Sequence, residues 1–455
     1  MSDQPITKRF TTSALSVLLA RFIACASAFG FTALLAQQLT PAEFGSFVLL
    51  FSLASLATIV GSLGLNRAAV KRIAEATNFD TQRQILKRSV LTALVGGLLA
   101  AAISFGLLTA FRSRLSIASE LVPTLFAAVV LLRTLHLVLA ESARGFHEQT
   151  WSNMFGGPTG GPIPHLLFLI ALAVFVTANE CTLTAALTIY LVSFVVTLPP
   201  LAWRVFTLQT ATEREACSQS EPFAAFMALS LPLMLTQVGS LAMSQADIWL
   251  AGGLISPDDL AIYGAAQRLL AFLTIPLQIA GTAIVSYIPQ LHARGDRDGL
   301  QSMVSLAAAV AGAPGIVLGF ILLLCPRFIL GTVFGEYYAA GSLILIILAA
   351  GQIICILTGP CEMLLMMAGH HRKALVVNTI ATAALFVAAP FATRAWGITG
   401  LAISMATVTA TQNLVNCYLA FRCTGVSTSF SIQPLTTALD SLRTALARRR
   451  TGSLS

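Results

Sequence analysis

Apolar residues in this chain fall in blocks of about 20, and that spacing narrows what it can fold into more than anything else. A block of that length, wound as a helix, crosses a hydrocarbon core of about 30 Å. Lipid offers no partner to a bare peptide group, so each block must close its own backbone bonds as an α-helix. The two-residue alternation of an outer-membrane barrel is absent. Composition agrees: of 455 residues, 56% are hydrophobic and 10% charged, against about 25% charged in soluble domains. The expected fold is an all-α polytopic membrane protein with about 12 spans: 12–36, 43–64, 89–110, 121–141, 152–176, 182–203, 225–251, 260–288, 302–325, 340–367, 374–393 and 397–420.

Charge sets the orientation. With the N-terminus inside, 20 of the 27 Lys and Arg fall in cytoplasmic segments, and the opposite loops hold only Arg112, Arg114, Arg327 and Arg394. That asymmetry places both termini in the cytoplasm. The formal charge of +8 is then topology, not a sign of a nucleic-acid partner. Residues 1–11 are expected as a cytoplasmic N-terminus, 12–203 and 225–420 as membrane bundles, 204–224 as a cytoplasmic linker and 421–455 as a cytoplasmic tail. In the tail, Arg448-Arg449-Arg450 reads as a solvated stop to the last helix, with contact to anionic lipid as the alternative.

Lys8-Arg9, an apolar run and Ala26-Ser27-Ala28 imitate a secretory signal, but Arg21 interrupts the run and hydrophobicity continues to about residue 36. An uncleaved first span is the expectation. The eight cysteines are scattered without a CxxC pair, which supports neither a disulfide frame nor a metal site.

The chain repeats itself. Leu39-Thr40-Pro41-Ala42-Glu43-Phe44-Gly45-Ser46-Phe47 matches Ile255-Ser256-Pro257-Asp258-Asp259-Leu260-Ala261-Ile262-Tyr263 position by position, each between two long apolar blocks. A small hydroxyl, a proline and a carboxylate mark a helix start. The offset from Pro41 to Pro257, close to half the chain, implies two six-helix bundles of like orientation, a common transporter plan. Convergent helix capping is the alternative.

At these residues the chain resembles the polysaccharide-unit flippases (Wzx-type) of the multidrug/oligosaccharidyl-lipid/polysaccharide (MOP) exporter superfamily. The first-half marks are Leu39-Thr40-Pro41-Ala42-Glu43-Phe44-Gly45 and Gly64-Leu65-Asn66-Arg67 before a basic loop. In the second half come Asp247-Ile248-Trp249-Leu250-Ala251-Gly252, Tyr263-Gly264-Ala265-Ala266-Gln267-Arg268-Leu269, Pro289 and Arg294-Gly295-Asp296. Phe334-Gly335-Glu336-Tyr337-Tyr338 and Gly369-His370-His371-Arg372-Lys373 follow. The motifs are individually weak; their order covers nearly the whole chain. The resemblance implies a MATE-like (MOP) fold in the bacterial inner membrane. It also implies flipping of undecaprenyl-diphosphate-linked glycan from the cytoplasmic to the periplasmic leaflet for surface polysaccharide such as O-antigen or exopolysaccharide. Its partners would be that lipid-linked glycan, the bilayer and a polysaccharide polymerase with its chain-length machinery. One departure is Gly156-Gly157-Pro158-Thr159-Gly160-Gly161-Pro162-Ile163-Pro164, a breaker-rich stretch that is either a hinge or the approach to a span beginning near Pro164.

Ionisable groups inside spans are costly and few. Arg21, Arg133 and Arg268 are expected to meet a diphosphate, which a guanidinium can grip with two parallel bonds; for Arg21 and Arg133 the alternative is snorkelling or a structural pairing. Arg133 shares a helix face with His136; His136 and His165 read as interhelical hydrogen-bond donors. Asp247 ends a polar stripe with Gln237, Ser240 and Ser244. It and Arg268 stand about equally far from the turn at 257–258, where they would form either a structural ion pair or a transport pair. Glu362, after Gly359-Pro360, is the second acid. Asp247 and Glu362 are the candidates for coupling to an H+ or Na+ gradient; for Glu362 the alternative is a proton-shared group bonded to a neighbouring helix. No Walker loop is present, so the chain is not its own ATP motor, and no cofactor is expected. The rival readings are an ion-coupled drug or metabolite exporter of the same superfamily, and a membrane glycan polymerase or ligase. The enzyme reading fits poorly with outer loops of about 5 to 15 residues, too short to hold an acceptor.

Overall fold

The computed structural model describes residues 6–76, 78–113, 119–157, 160–208, 223–285 and 287–431; within them, the side chains of 6–21, 278–279 and 282–283 lie outside the description. Most of the expected linker 204–224, most of the tail 421–455 with Arg448–Arg450, and the first five residues of 1–11 therefore lie outside it too. The elements are helices, and the chain divides into two compact units, Met1–Ala261 and Ile262–Ser455.

The first unit contains α1 (Ile6–Gln38), α2 (Pro41–Gly61), α3 (Leu65–Glu75), α4 (Phe79–Ala110), α5 (Leu121–Gly145), α6 (Gln149–Phe155), α7 (Pro162–Val176), α8 (Leu183–Thr207), α9 (Phe223–Leu254) and the first turn of α10 (Pro257–Ile284). Both copies of the repeated motif are capped helix starts. Thr40 Oγ1 accepts the Glu43 N–H while the Glu43 carboxylate accepts the Thr40 N–H, with Pro41 in the first turn of α2. Ser256 Oγ likewise accepts the Asp259 N–H and donates to Asp259 Oδ2. A reciprocal cap of this kind satisfies amide groups that a helix start leaves open.

Helices differ in how much of their apolar surface other helices cover. In α2, 78% of the apolar window is buried, against 33% in α4. Leu91, Val95, Leu98, Leu99 and Ile103 of α4 are exposed and suit a face against acyl chains, whereas α2 is an interior helix. The helix α9 lies on α2 and α3. Asn66 and Gln237 exchange amide hydrogen bonds of 2.7 and 3.2 Å. Ser52 Oγ donates to Gln245 Oε1 at 2.8 Å and accepts the Trp249 Nε1–H at 2.9 Å. Interhelical bonds of this type contribute about 0.6–2 kcal/mol each in lipid.

The second unit holds the rest of α10, then α11 (Tyr287–Ala293), α12 (Arg297–Leu324), α13 (Pro326–Phe334), a 3-10 turn (Glu336–Gly341), α14 (Ser342–Thr358), α15 (Cys361–Leu365), a π-helical turn (Met366–His370) and α16 (His371–Thr424). At 54 residues, α16 is too long for one crossing. Trp396 (φ −131°, ψ 16°) and Gly397 (φ 58°, ψ −144°) leave helical geometry. Asn378 and Gln412 would be about 50 Å apart on a straight helix, yet they bond at 2.8 Å. The helix therefore folds back on itself at Trp396–Gly397. Its second half reaches α14 closely enough that a Cβ on Gly351 would meet the Cα of Ala406 at 2.9 Å. After α16, Gly425 (φ 72°) stops the helix and the following residues return across α12 and α14.

Several boundaries differ from the sequence expectation. Residues 65–88, expected as a loop, hold α3 and the first turns of α4. Leu65, Ala68, Ala69 and Ile73 are buried on one face of α3, an amphipathic spacing that the six basic residues there obscured. Residues 152–176 are not one span: α6 ends at Phe155, and α7 begins at Pro162, where proline suits the first turn. That is close to the reading in which the span begins near Pro164. The stretch 340–367 breaks at Gly359 (φ 68°) and Pro360.

Candidate functional site

In the first unit the candidate site grows from α5. Arg133 and His136, one turn apart, point into the bundle and are 2% and 1% exposed. Arg133 Nη2 donates to Ser55 Oγ at 3.0 Å, and the guanidinium carbon stands 5.6 Å from the centre of the Phe51 ring, both on α2. Ser55 is turned toward the guanidinium by donating its own proton to the Phe51 carbonyl at 3.1 Å. An aromatic face beneath a desolvated cation contributes about 2 kcal/mol.

Two imidazoles share this interior. The His165 ring, from α7, lies 5.5 Å from Phe31, 6.0 Å from Phe51 and 6.4 Å from Tyr190. His136 meets Phe194 of α8 edge-on at 5.3 Å and Phe155 of α6 at 5.9 Å. The breaker-rich segment explains how His165 gets there. A Cβ on Gly160 (φ 106°) would meet Phe194 at 2.9 Å and His165 Nε2 at 3.1 Å, so only glycine lets the backbone pass beneath both rings. About two turns along α5 from Arg133, Glu141 is 6% exposed and pairs with Arg144 at 2.9 Å. Arg204 of α8 pairs with Glu148 and lies 6.0 Å over the Trp151 ring.

The other predicted residues lie elsewhere. Arg21 is on α1, and its side chain lies outside the described residues. Asp247 is fully buried on α9. The polar stripe leading to it is mixed. Gln237 is held by Asn66, while exposed Ser240 and Ser244 turn their hydroxyls back to the carbonyls of Thr236 and Leu241 at 3.0 Å each. Arg268 is half-buried on the part of α10 in the second unit.

Glu362 opens α15 immediately after the Gly359–Pro360 break, where a carboxylate suits a helix N-terminus. Asn378 Nδ2 donates to Glu362 Oε1 at 2.7 Å. Asn378 Oδ1 in turn accepts from Gln412 Nε2 at 2.8 Å and from Asn416 Nδ2 at 3.4 Å. These donors fix which way the Asn378 amide faces, so its NH2 is aimed at the carboxylate. A search restricted to ionisable residues misses Asn378, Gln412 and Asn416. Their signal was available: three carboxamides inside apolar blocks, two of them one turn apart. Ser55, Phe51 and Glu141 were missed too. Ser55 is a common small residue in a span, and Glu141 sits at a predicted span end. Among the described residues, no three His, Cys, Asp or Glu groups converge on a possible metal position.

The family model of polysaccharide biosynthesis proteins matches residues 10–292, more than half of the chain. The chain belongs to the polysaccharide biosynthesis protein family. The MatE family model matches residues 232–392. No curated protein matches the chain. Among solved structures, the chain is similar to the inward-facing conformation of a multidrug resistance MATE family transporter of the MOP superfamily. The TM-score is 0.71 at 14% identity, over 90% of this chain and 98% of that one. It is also similar to the lipid II flippase MurJ in an inward closed conformation, with a TM-score of 0.65 at 12% identity over 97% and 93% of the two chains. A third is a MOP superfamily transporter from Pyrococcus furiosus, described as having a binding pocket of reversed polarity, with a TM-score of 0.59 at 14% identity over 92% and 96%. The fold of this polysaccharide biosynthesis family member is that of the MOP superfamily, an all-α architecture of many membrane spans. The proteins it resembles are transporters by their own descriptions, not enzymes.

Proposed function

We propose that this protein is a flippase that moves polyprenyl-diphosphate-linked oligosaccharide between membrane leaflets for surface polysaccharide synthesis. The observation that carries the reading is the polysaccharide biosynthesis match across residues 10–292. Twelve spans in two six-helix bundles, cytoplasmic termini, a place in a bacterial inner membrane, and a polymerase with its chain-length machinery as neighbours all belong to this reading. The physics of the cargo supports it: a diphosphate and a hydrated sugar need a cationic, polar route past hydrocarbon. Arg21, Arg133 and Arg268 are the groups assigned to the anion. The Arg133 charge sits among aromatic rings, so its field is weakly screened by water. Asp247 and Glu362 are assigned to coupling with an H+ or Na+ gradient.

The test is genetic and chemical together. In a bacterium that uses this chain, its deletion should leave lipid-linked glycan on the cytoplasmic leaflet and abolish the surface polymer. Expression of the chain should restore both. Normal surface polymer in the deletion strain would remove the glycan role.

A second reading, export of a drug or metabolite, is favoured by the MatE match at residues 232–392 and by the fold shared with multidrug transporters. Increased tolerance of cationic dyes in an efflux-deficient host, with glycan export unaffected, would select it.

A further inference from the structure

The broken span α14–α15 is closed by a piece of chain from far along the sequence. At Gly359 and Pro360 the helical ladder stops, which leaves the carbonyls at the end of α14 in need of donors. Two of them are satisfied by the segment after α16. Phe430 N–H donates to the Leu357 carbonyl at 2.8 Å, and Thr428 Oγ1 donates to the Thr358 carbonyl at 2.7 Å. The same segment is tied to α12. Ser427 N–H donates to Gln301 Oε1 at 2.7 Å, and Gln301 Nε2 donates to the Ser427 carbonyl at 2.8 Å. Val426 is 1% exposed. The Phe430 ring occupies the space over Gly312, where a Cβ would meet the ring. A Cβ on Gly359 would overlap the Thr428 carbonyl. Glycine is thus needed at Gly359 twice, for its positive φ and for the close approach of this strand of chain.

We propose that Val426–Phe430 is a releasable strap. Seated, it fixes the α14–α15 break and with it the position of Glu362, which begins three residues beyond; the transport cycle passes through a state in which the strap is unseated. Its attachments suit release. Individual hydrogen bonds to α12, α14 and α16 and two apolar plugs hold it, and each hydrogen bond can be exchanged for water at a net cost of about 1 kcal/mol. The residues Ser427-Thr428-Ser429 carry hydroxyls that remain satisfied in water. A continuous helix at 357–361 would need none of these donors, so a change at the break and the loss of the strap's bonds go together.

The structure supplies the test. Cys417 Sγ lies 3.5 Å from Thr428 Oγ1. The substitution Thr428→Cys, with all native cysteines kept, places a second sulfur beside the first. Two copper(II)-phenanthroline complexes each take one electron and are reduced to copper(I), the two thiol protons pass to the buffer, the sulfurs join, and dithiothreitol reverses the bond by becoming oxidised itself. The expected result in membranes is a Cys417–Thr428→Cys disulfide, at least a tenfold loss of transport in the oxidised variant, recovery on reduction and no such change in oxidised wild type. Amide hydrogen exchange on the wild-type protein in nanodiscs is the readout independent of cargo. The strap amides Ser427 and Phe430 should exchange faster than hydrogen-bonded amides in the middle of α12 and α14. Failure of the disulfide to form would mean the strap is not seated as described. Full transport with the disulfide closed, or strap amides as protected as those helices, would show a permanent structural element. Either outcome overturns the proposal. If wild type exports no glycan, the cargo assignment fails while the exchange measurement still decides the strap.

Discussion

Gly45 on α2 and the carbonyl of Pro257, the first residue of α10, are in such close contact that a Cβ at position 45 would overlap the carbonyl oxygen and lie 3.0 Å from the backbone nitrogen of Ala261. Gly45 and Ala261 hold the same place in the two copies of the repeated motif. Pro257 and Ala261 of the second copy thus lie against Gly45 of the first.

Replacing Gly45, buried on α2, by Val should therefore be damaging. Backbone, not a flexible side chain, occupies the space. Overpacking costs about 1–3 kcal/mol or more, so a clear drop in the thermal midpoint and in membrane abundance is expected. Gly253→Ala, where no atom lies within 4 Å of the new Cβ, should leave both unchanged.

Arg133→Ala should reduce export about ten- to a hundredfold with membrane abundance retained, since bonds to a charged group contribute about 1.5–3 kcal/mol. Arg133→Lys should recover only part, because an ammonium cannot reproduce a planar group laid over Phe51. Ser55→Ala takes one acceptor from the guanidinium but leaves the charge in place, and should cost less. Surface glycan measured against immunoblotted protein checks all three, and unchanged export in Arg133→Ala would take Arg133 out of the transport role.

The amide chain at Glu362 predicts an order of severity. Asn378→Ala strips the carboxylate of its donor and leaves Gln412 and Asn416 facing a void, at a cost of about 1–3 kcal/mol. Gln412→Ala removes one of two donors to Asn378 and should be milder. Thermal unfolding of the purified variants orders them; equal midpoints would show that the chain is dispensable for stability.

Cys181, in the connection before α8, gives a prediction about reactivity. Burial first, and the Glu43 carboxylate second, push its thiol up to about 11. The thiolate is the reactive form, so a raised value means less of it at neutral pH and a rate that climbs as pH rises toward 11. At pH 7.5, labelling by a membrane-impermeant maleimide should run about a hundredfold or more below that of an ordinary thiol with a value of about 8.5. Glu43→Gln should speed it. Mass-spectrometric labelling rates between pH 7 and 10 test both, and rapid labelling at neutral pH would show the site is open.

Much of this architecture was legible because lipid imposes simple rules. Block length and the absence of alternation gave helices, and Thr40-Pro41 and Ser256-Pro257 gave helix starts that the structure caps as expected. The turn at Gly397 could be placed between blocks 374–393 and 397–420. Harder to see was α3, whose buried Leu65, Ala68 and Ile73 lie among basic residues in a segment too short and too charged to register as a span. Interior contacts were harder still. That Arg133 would meet Ser55 on another helix, or that Glu362 would be addressed through Asn378, depends on packing between blocks distant in sequence. The return of Val426–Phe430 onto Gly359 left no periodic trace at all.

That return has a practical side. A fluorescent or affinity fusion joined directly at Gly425 would delete Val426 and Phe430 and vacate two apolar niches inside the second unit, beside a helix end whose last carbonyls had relied on the missing residues. Defects in such shortened proteins would report loss of the strap together with loss of any task of the sequence beyond. Fusions placed after Ser431 keep the bonds of the strap to Leu357, Thr358 and Gln301.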